Sequence, residues 1–238
     1  MQWNKKYNYP SSTRSIINHS RMYTLNNQIF PSVTSILQMT KSESEKASLK
    51  AWSERVGFKE SLRIKNEAAQ RGTQMHSLIE NFLLEKDNLE LFEKEKEKEK
   101  EENHAQRMAD LIISEGLKNK LNEINGVECT VYYPGSKGFA GTADLIGVYE
   151  NIPSIIDFKQ KNSIMKESYE SLQTYLIQLG GYSLAHNTAY GSSITQGVIL
   201  LATTDLVFQV FRINDEKLIE YQNKFLDRVD QYYSLINN

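Results

Sequence analysis

The stretch SIIDFKQK, residues 154–161, places an acid and a base two residues apart, Asp157 and Lys159, directly after two apolar residues, Ile155 and Ile156. In a β-strand residues i and i+2 point to the same face, so a carboxylate and an ammonium would share one side of a sheet. Taking both out of water costs several kcal/mol unless geometry compensates; the ordinary alternative is a solvated salt bridge on an edge strand. Upstream, GFAGTADLIGVYE carries Asp144, and ENIP reads as the turn that folds the two apolar runs into a hairpin. Placing Tyr149 opposite Ser154 sets Asp144 against Lys159, Ile146 against Asp157 and Leu145 against Phe158. Opposed residues share a face, so Asp144, Asp157 and Lys159 converge on one side; any register in which opposed numbers sum to an odd number keeps the convergence, and an even sum destroys it. Two neighbouring carboxylates in a half-buried site share a proton or a divalent cation. Oxygen ligands suit Mg²⁺ or Mn²⁺, and the lysine is of the type that activates a water and stabilises charge on a phosphoryl group under attack. The chemistry predicted is hydrolysis of a phosphodiester.

The elements that must position these residues follow from pattern. Residues 1–30 are polar, spotted with aromatics and without helical period; they read as an N-terminal arm with a short hairpin at YTLNNQIF, and residues 31–238 read as one domain. Pro31 and Ser32 open a helix at PSVTSIL, SESEKASLKAWSERVG is a helix ended by Gly57, another begins near Lys59, and a third carries EAAQRGTQMHSLIENFLLEK. Residues 93–102, EKEKEKEKEE, alternate in charge without an apolar stripe and read as a solvated helical extension or connector. A helix resumes at His104 and closes near Asn125–Gly126. VECTVYYP, GFAGTADLIGVYE and SIIDFKQK are β runs, SYESLQTYLIQLGGYSLAHN is helical, TQGVILLAT and LVFQVFRI are strands, and DEKLIEYQNKFLDRVDQYYSLI is a closing helix. That order predicts an α/β fold, a mixed central β-sheet flanked by helices. Gly180 and Gly181 cost a helix about 1 kcal/mol each, which predicts close approach of another backbone.

These motifs carry a resemblance. GFAGTADLIGVYENIPSIIDFKQK resembles the core of the PD-(D/E)XK nucleases, an Asp on one strand followed by acid-x-Lys on the next. RGTQMHSLIE resembles the G-x-x-x-H helix of the RecB-like exonuclease branch, and QLGGY its Q-x-x-x-Y motif. With FPSVTSIL, the chain resembles the group of that branch containing mitochondrial genome maintenance and phage exonucleases, from about Arg21 to about Leu206. The resemblance implies a restriction-endonuclease-like core and a metal-dependent DNA exonuclease. It implies that His76, Asp144, Asp157 and the backbone carbonyl of Phe158 hold the cation, and that Lys159 serves the attacking water. Gln178 and Tyr182 would position the nucleic-acid backbone or the lysine, and Glu128 stands on the strand where the family often has an acid. His76 precedes the catalytic strands, so the N-terminal helices are expected to fold back as a roof over the site. A roofed passage predicts single-stranded DNA with a free end, little sequence preference and salt-sensitive binding.

Composition sets the bounds. The 238 residues suffice for one large domain. A single cysteine, Cys129, excludes an internal disulfide and a zinc site of several thiolates. No apolar run approaches the roughly 18 residues of a membrane span, and the N-terminus lacks the apolar block of a secretory signal. The net charge of -2 hides a basic end: residues 1–71 hold 12 Lys and Arg against 5 Glu, which fits a polyanionic partner. Arg55, Lys59 and Arg63 are candidates for phosphate contact, and Tyr7, Tyr9, Tyr23 and Trp52 for stacking on unpaired bases. The expected partners are DNA and replication or recombination proteins, with no membrane and no small-molecule cofactor. The early start of recognisable motif favours a bacterial or phage-encoded enzyme in the cytoplasm over a mitochondrial one. Two other readings stay open: a catalytically silent nucleic-acid-binding or recombination-partner module on the same fold, and an endonuclease component of a larger helicase–nuclease assembly.

Overall fold

The computed structural model describes residues 1–18, 20–84, 104–166 and 169–237; the charged run at 93–102 lies outside them. Two hairpins are set by two-residue turns in which both residues are left-handed. Asn26 and Asn27, at φ 47° and 63°, join β3 (Ser20–Leu25) to β4 (Gln28–Pro31). Glu150 and Asn151, at φ 49° and 67°, join β6 (Phe139–Tyr149) to β7 (Ile152–Lys161). This turn twists with the strands it connects. The second hairpin is therefore tighter than ENIP implies: Tyr149 pairs with Ile152 and not with Ser154, and Leu145 opposes Ile156 and not Phe158. The difference is an even number of residues, so the face of every side chain is kept.

The central sheet has the order β1-β5-β6-β7-β8-β9, with β1 (Gln2–Trp3) parallel to β5 (Leu121–Tyr133), β7 parallel to β8 (Gln196–Thr203), and the other pairs antiparallel, including β8 with β9 (Phe208–Asn214). It is mixed and flanked by helices, the fold class expected. On one face Ile146, Ile155, Ile199 and Leu201 meet α1 (Val33–Met39), α5 (Tyr169–Tyr190) and α6 (Asp215–Ile236). On the other, Leu145, Ile156, Phe158 and Leu200 meet α3 (Phe58–Leu83), α4 (His104–Leu111) and a π-helical turn at Ile112–Leu117. A sheet covered on both faces needs continuous apolar strands, and all eight residues of β8 are buried. Gly180 meets its predicted neighbour, since a Cβ there would stand 2.4 Å from the Tyr221 carbonyl oxygen of α6.

Three elements depart from the pattern reading. The helix expected near Lys59 and the one carrying His76 are a single helix, α3, because no breaker stands between them. It follows α2 (Glu43–Val56) across Gly57, whose φ of 85° a side chain would resist. The helix from His104 does not reach Asn125; LNEINGV belongs to β5, where pairing with β6 overrides local propensity. The N-terminal arm is also more ordered than its composition indicates, with β2 (Thr13–Ile17), β3 and β4 forming a three-stranded antiparallel sheet.

Candidate active site

The ladder between β6 and β7 stops at Leu145–Ile156, whereas β7 stays paired with β8 as far as Lys161–Thr203. From Asp157 onward β7 has one open edge. Asp144 fills the gap: its Oδ2 accepts a 2.8 Å hydrogen bond from the Phe158 amide. Asp157, 2% exposed, lies on the same face, in ion-pair contact with the Lys159 ammonium. The three residues converge as their register parity requires.

His76 arrives from the other layer. Helix α3 buries Met75, Ile79 and Leu83 against the sheet, and His76 reaches round β7 so that Nε2 donates to the Phe158 carbonyl at 2.9 Å. A side-chain clasp sets this register: Arg71 Nε donates to Gln160 Oε1 at 2.8 Å, and Gln160 Nε2 donates to the Ala68 carbonyl at 2.9 Å. With Nε2 engaged, Nδ1 stands 3.6 Å from Asp144 Oδ2 and 3.9 Å from Glu128 Oε1. Glu128 reaches this point by adopting φ 46°, left-handed for a non-glycine residue in a strand. Such a conformation costs roughly 1–2 kcal/mol, a form of strain found where surrounding structure over-determines it.

Burial and charge act together. Burial pushes Asp157 up to about 6, with Lys159 opposing and Asp144 reinforcing the rise. Asp144 is raised too, first by burial, although His76 and Lys159 pull the other way. Burial works against the Lys159 ammonium, but Asp157 and Asp144 outweigh it and hold the group charged. Burial likewise opposes the His76 cation, yet Asp144 and Glu128 raise it to about 9. The site is thus a buried cluster in which acids and bases perturb one another, the aspartates pushed up and the Lys159 and His76 cations favoured.

The donor set fits a divalent ion. Ligand atoms of His76, Glu128 and Asp144 lie within 4.8 Å of one another, and Asp157 Oδ2 is a buried oxygen in contact with Lys159 but without a hydrogen bond of good geometry. One imidazole among carboxylates is a hard set with a borderline member, which Mg²⁺ and Mn²⁺ accept. The Phe158 carbonyl accepts from His76 Nε2 and so orients the imidazole, leaving Nδ1 as the nitrogen that faces Asp144 and Glu128.

A cleft of about 500 Å³ lies over these groups. One wall is α3, through small residues such as Ala68, Gly72 and Thr73; the other is the N-terminal sheet, through Arg14, Arg21 and Tyr23, with the start of α1. The expected helical roof is therefore half helix and half sheet. Gln178 and Tyr182 close the cleft from α5, Gln178 Nε2 donating to the buried Tyr182 hydroxyl at 3.1 Å. Burial, then the charge of Asp157, raises the Tyr182 phenol well above its ordinary range. Gly141 makes room for that ring, since a Cβ there would stand 2.5 Å from Tyr182 Cε1.

Several aromatic and basic candidates have other employment. Tyr9 donates to or accepts from His186 Nε2 at 3.0 Å within a cluster that includes Tyr7 and Tyr190, and Tyr23 is hydrogen-bonded to Thr142 at 2.9 Å. Arg63 is paired with Glu60 and Glu67, and Trp52 lies beneath Lys65. Sequence reasoning missed Arg21, whose clue was its i, i+2 spacing from Tyr23 in a strand; Arg14, which pairs opposite Tyr23 from β2; and Tyr175, whose ring faces the ammoniums of Lys159 and Lys161.

No protein-family model matches the chain. Among curated proteins it is similar to mitochondrial genome maintenance exonuclease 1 of Mus musculus, 26% identical over 216 residues that cover 85% of this chain and 58% of that protein. The chain thus spans less than two thirds of that relative's length. Among solved structures it is similar to a putative exonuclease from Eubacterium rectale, with a TM-score of 0.43 and 16% identity over 69% of this chain and 66% of the other. A phage-related exonuclease from Haemophilus somnus 129PT gives a TM-score of 0.32 and 17% identity over 56% of this chain and 68% of the other. Both overlays are partial. The resemblance to a PD-(D/E)XK-like exonuclease holds in sequence over most of the chain.

Proposed function

We propose, from the premise that this chain resembles a PD-(D/E)XK-like exonuclease, that it is a metal-dependent deoxyribonuclease that trims single-stranded DNA from a free end. The observation that carries the reading is the meeting of Asp144, Asp157, Lys159, His76 and Glu128 at the point where β6 and β7 part, on the floor of a cleft. His76, Glu128 and the two aspartates would hold Mg²⁺ or Mn²⁺. When bound, the ion supplies Lewis-acid polarisation of the phosphoryl group and a more acidic water. The chain's own residues do the rest. Lys159 points its ammonium where an incoming water is oriented and where charge gathers on the phosphoryl oxygens. Its position is fixed by Asp157 on one side and the Tyr175 ring, 5.1 Å away, on another. Gln178, held by Tyr182, offers its remaining amide capacity to the nucleic-acid backbone. Asp144, tied to the Phe158 amide, keeps its carboxylate on the open edge of the strand.

The substrate form follows from the two walls. A cleft bounded by α3 on one side and the N-terminal sheet on the other suits one strand better than a duplex, and weak sequence preference is expected where Ala68, Ala69 and Gly72 of the α3 wall carry no hydrogen-bonding side chain. Replication, recombination or repair of DNA is the setting in which such trimming is used, and DNA is the partner. The test compares a linear single strand with a covalently closed circle of the same sequence, each with Mg²⁺, Mn²⁺ or chelator. Cleavage of the linear form alone, abolished by chelator, is the expected result; equal cutting of both would mean an open endonuclease cleft. A chain that binds DNA but cuts neither under any condition would support the silent binding module instead.

A further inference from the structure

The cleft does not end at its acidic floor. A second cavity of about 530 Å³ is lined by the segment 9–12 and Thr130, and it shares Arg14, Glu80, Glu128 and Thr142 with the first. Glu128 also belongs to the cluster with His76 and Asp144. The candidate ion site therefore stands at the boundary of two chambers, not at the blind end of one. A phosphodiester seated at that boundary has chain on both sides, so an enzyme that removes pieces from an end needs room for the strand and room for the piece.

The two chambers differ in character. The first lies between the N-terminal sheet and α3 and reaches Gln178. The second is walled by the hydroxyls of Ser11, Ser12, Thr130 and Thr142 together with Arg14, Cys129 and the carboxylates of Glu80 and Glu128; Ser12 Oγ and Thr130 Oγ1 are 2.8 Å apart, while the Tyr9 hydroxyl is turned to His186. Hydroxyls suit a sugar-phosphate. Arg14 lines both chambers and has no ion-pair partner among the described residues, and a guanidinium matches the geometry of a phosphate. A chamber of about 530 Å³, similar in size to the first, takes a short product, not a long chain.

We propose, resting on the nuclease reading above, that the second chamber is a product-side subsite: it takes the mononucleotide or dinucleotide phosphate cut from the end, with Arg14 holding its phosphate. The probe is the thymidine dinucleotide 5′-phosphate, pTpT, measured by calorimetric binding and as an inhibitor of cleavage of a long linear strand. The wild-type chain is expected to bind pTpT. Ser11→Trp, at an exposed position on the chamber wall, and Arg14→Ala are each expected to weaken that binding and inhibition by about tenfold or more, the equivalent of about 1.4 kcal/mol. Affinity for the long strand in chelator should change less in Ser11→Trp than its affinity for pTpT. Ser15→Trp, exposed on the opposite face of β2, carries the same added bulk and should behave as wild type. Equal pTpT binding by wild type, Ser11→Trp and Arg14→Ala, or no pTpT binding by a wild type that cuts linear DNA, would overturn the subsite alone. A wild type that neither binds nor cuts DNA would overturn the nuclease reading, and the subsite with it.

Discussion

The Phe158 amide donates a 2.8 Å hydrogen bond to Oδ2 of Asp144, across a gap where β6 and β7 have stopped pairing. The carboxylate takes over from the backbone acceptor that an intact ladder would have provided. It also ties one aspartate to the strand that carries the other, so Asp144, Asp157 and Lys159 form one mechanical unit as well as one electrostatic one.

A unit of this kind fails as a whole. Asp144→Asn, Asp157→Asn and Lys159→Ala are each expected to reduce cleavage on the order of 10³-fold or more, with double variants no worse than the worst single one. Circular dichroism and thermal melting should report a folded chain in each case. Substantial metal-dependent cleavage by Asp157→Asn would remove that residue from the proposed chemistry.

His76 brings the only nitrogen to the His76–Glu128–Asp144 cluster. A neutral imidazole is a borderline ligand and favours Mn²⁺ over Mg²⁺. Activity with Mn²⁺ is expected to exceed that with Mg²⁺, and His76→Ala should narrow the difference. Calorimetric titration of each ion into the variant reads the same change without turnover; unaltered affinities for both would leave His76 a purely structural role.

Glu128 sits at φ 46° beside another carboxylate. Asparagine tolerates that conformation better and removes the like charge. Glu128→Asn should therefore raise the unfolding free energy by about 0.5–1 kcal/mol while lowering ion affinity and cleavage, the exchange expected where a site is strained for function. Urea denaturation of the two proteins checks the sign.

The crossing of α5 and α6 leaves no room for a methyl group at Gly180, where a Cβ would meet the backbone of Tyr221 and Gln222. Backbone yields less readily than a flexible side chain. Gly180→Ala is expected to destabilise by about 2–3 kcal/mol, the upper part of the usual range for overpacking, and the midpoint of urea unfolding should fall accordingly.

His186 predicts a pH dependence of stability. Its Nδ1 donates to Ser192 Oγ at 2.6 Å, since Ser192 in turn donates to Asn187 Oδ1 at 2.7 Å, and its Nε2 accepts from Tyr9. The neutral ring is satisfied at both nitrogens. Burial, then the charge of Lys6, lowers it to about 4 from an ordinary 6.5. Between those values the unfolded chain binds more protons, so stability rises with pH. This contribution is fully present above about pH 6.5 and is lost as pH falls towards 4, by up to about 3 kcal/mol. Urea unfolding at pH 7 and pH 5 should differ in that direction, and His186→Gln should flatten the slope even if it lowers stability at both.

Much of the site was legible because its logic is local. The period-2 pattern of two apolar runs places Asp144, Asp157 and Lys159 on one face, and the 3.6 period of α3 and α5 places His76 with Glu80 and Gln178 with Tyr182. The glycine pair in α5 predicts close approach of a strand or other backbone; Gly180 meets the backbone of Tyr221 in α6, and Gly181 the ring of Phe225. Where local pattern misled, pairing from a distance was the cause. LNEI at 121–124 carries a helical pattern but is held as strand by β6, and the polar segment at 13–17 becomes a strand because β3 pairs with it.

By itself, then, the order of residues determined the fold class, the parity of the hairpin and the set of side chains that could act together. Parity is a property of a two-residue repeat and survives an error of two in the register. What only the tertiary structure decided was where the ladder opens, that Glu128 turns left-handed to join His76, that Arg14 and Arg21 form the second wall, and that Tyr9 and Tyr23 are already engaged. Those outcomes depend on contacts between residues tens to more than a hundred positions apart, such as Tyr23 with Thr142 and His76 with Phe158. Their energies come from which surfaces meet, and no local period encodes that.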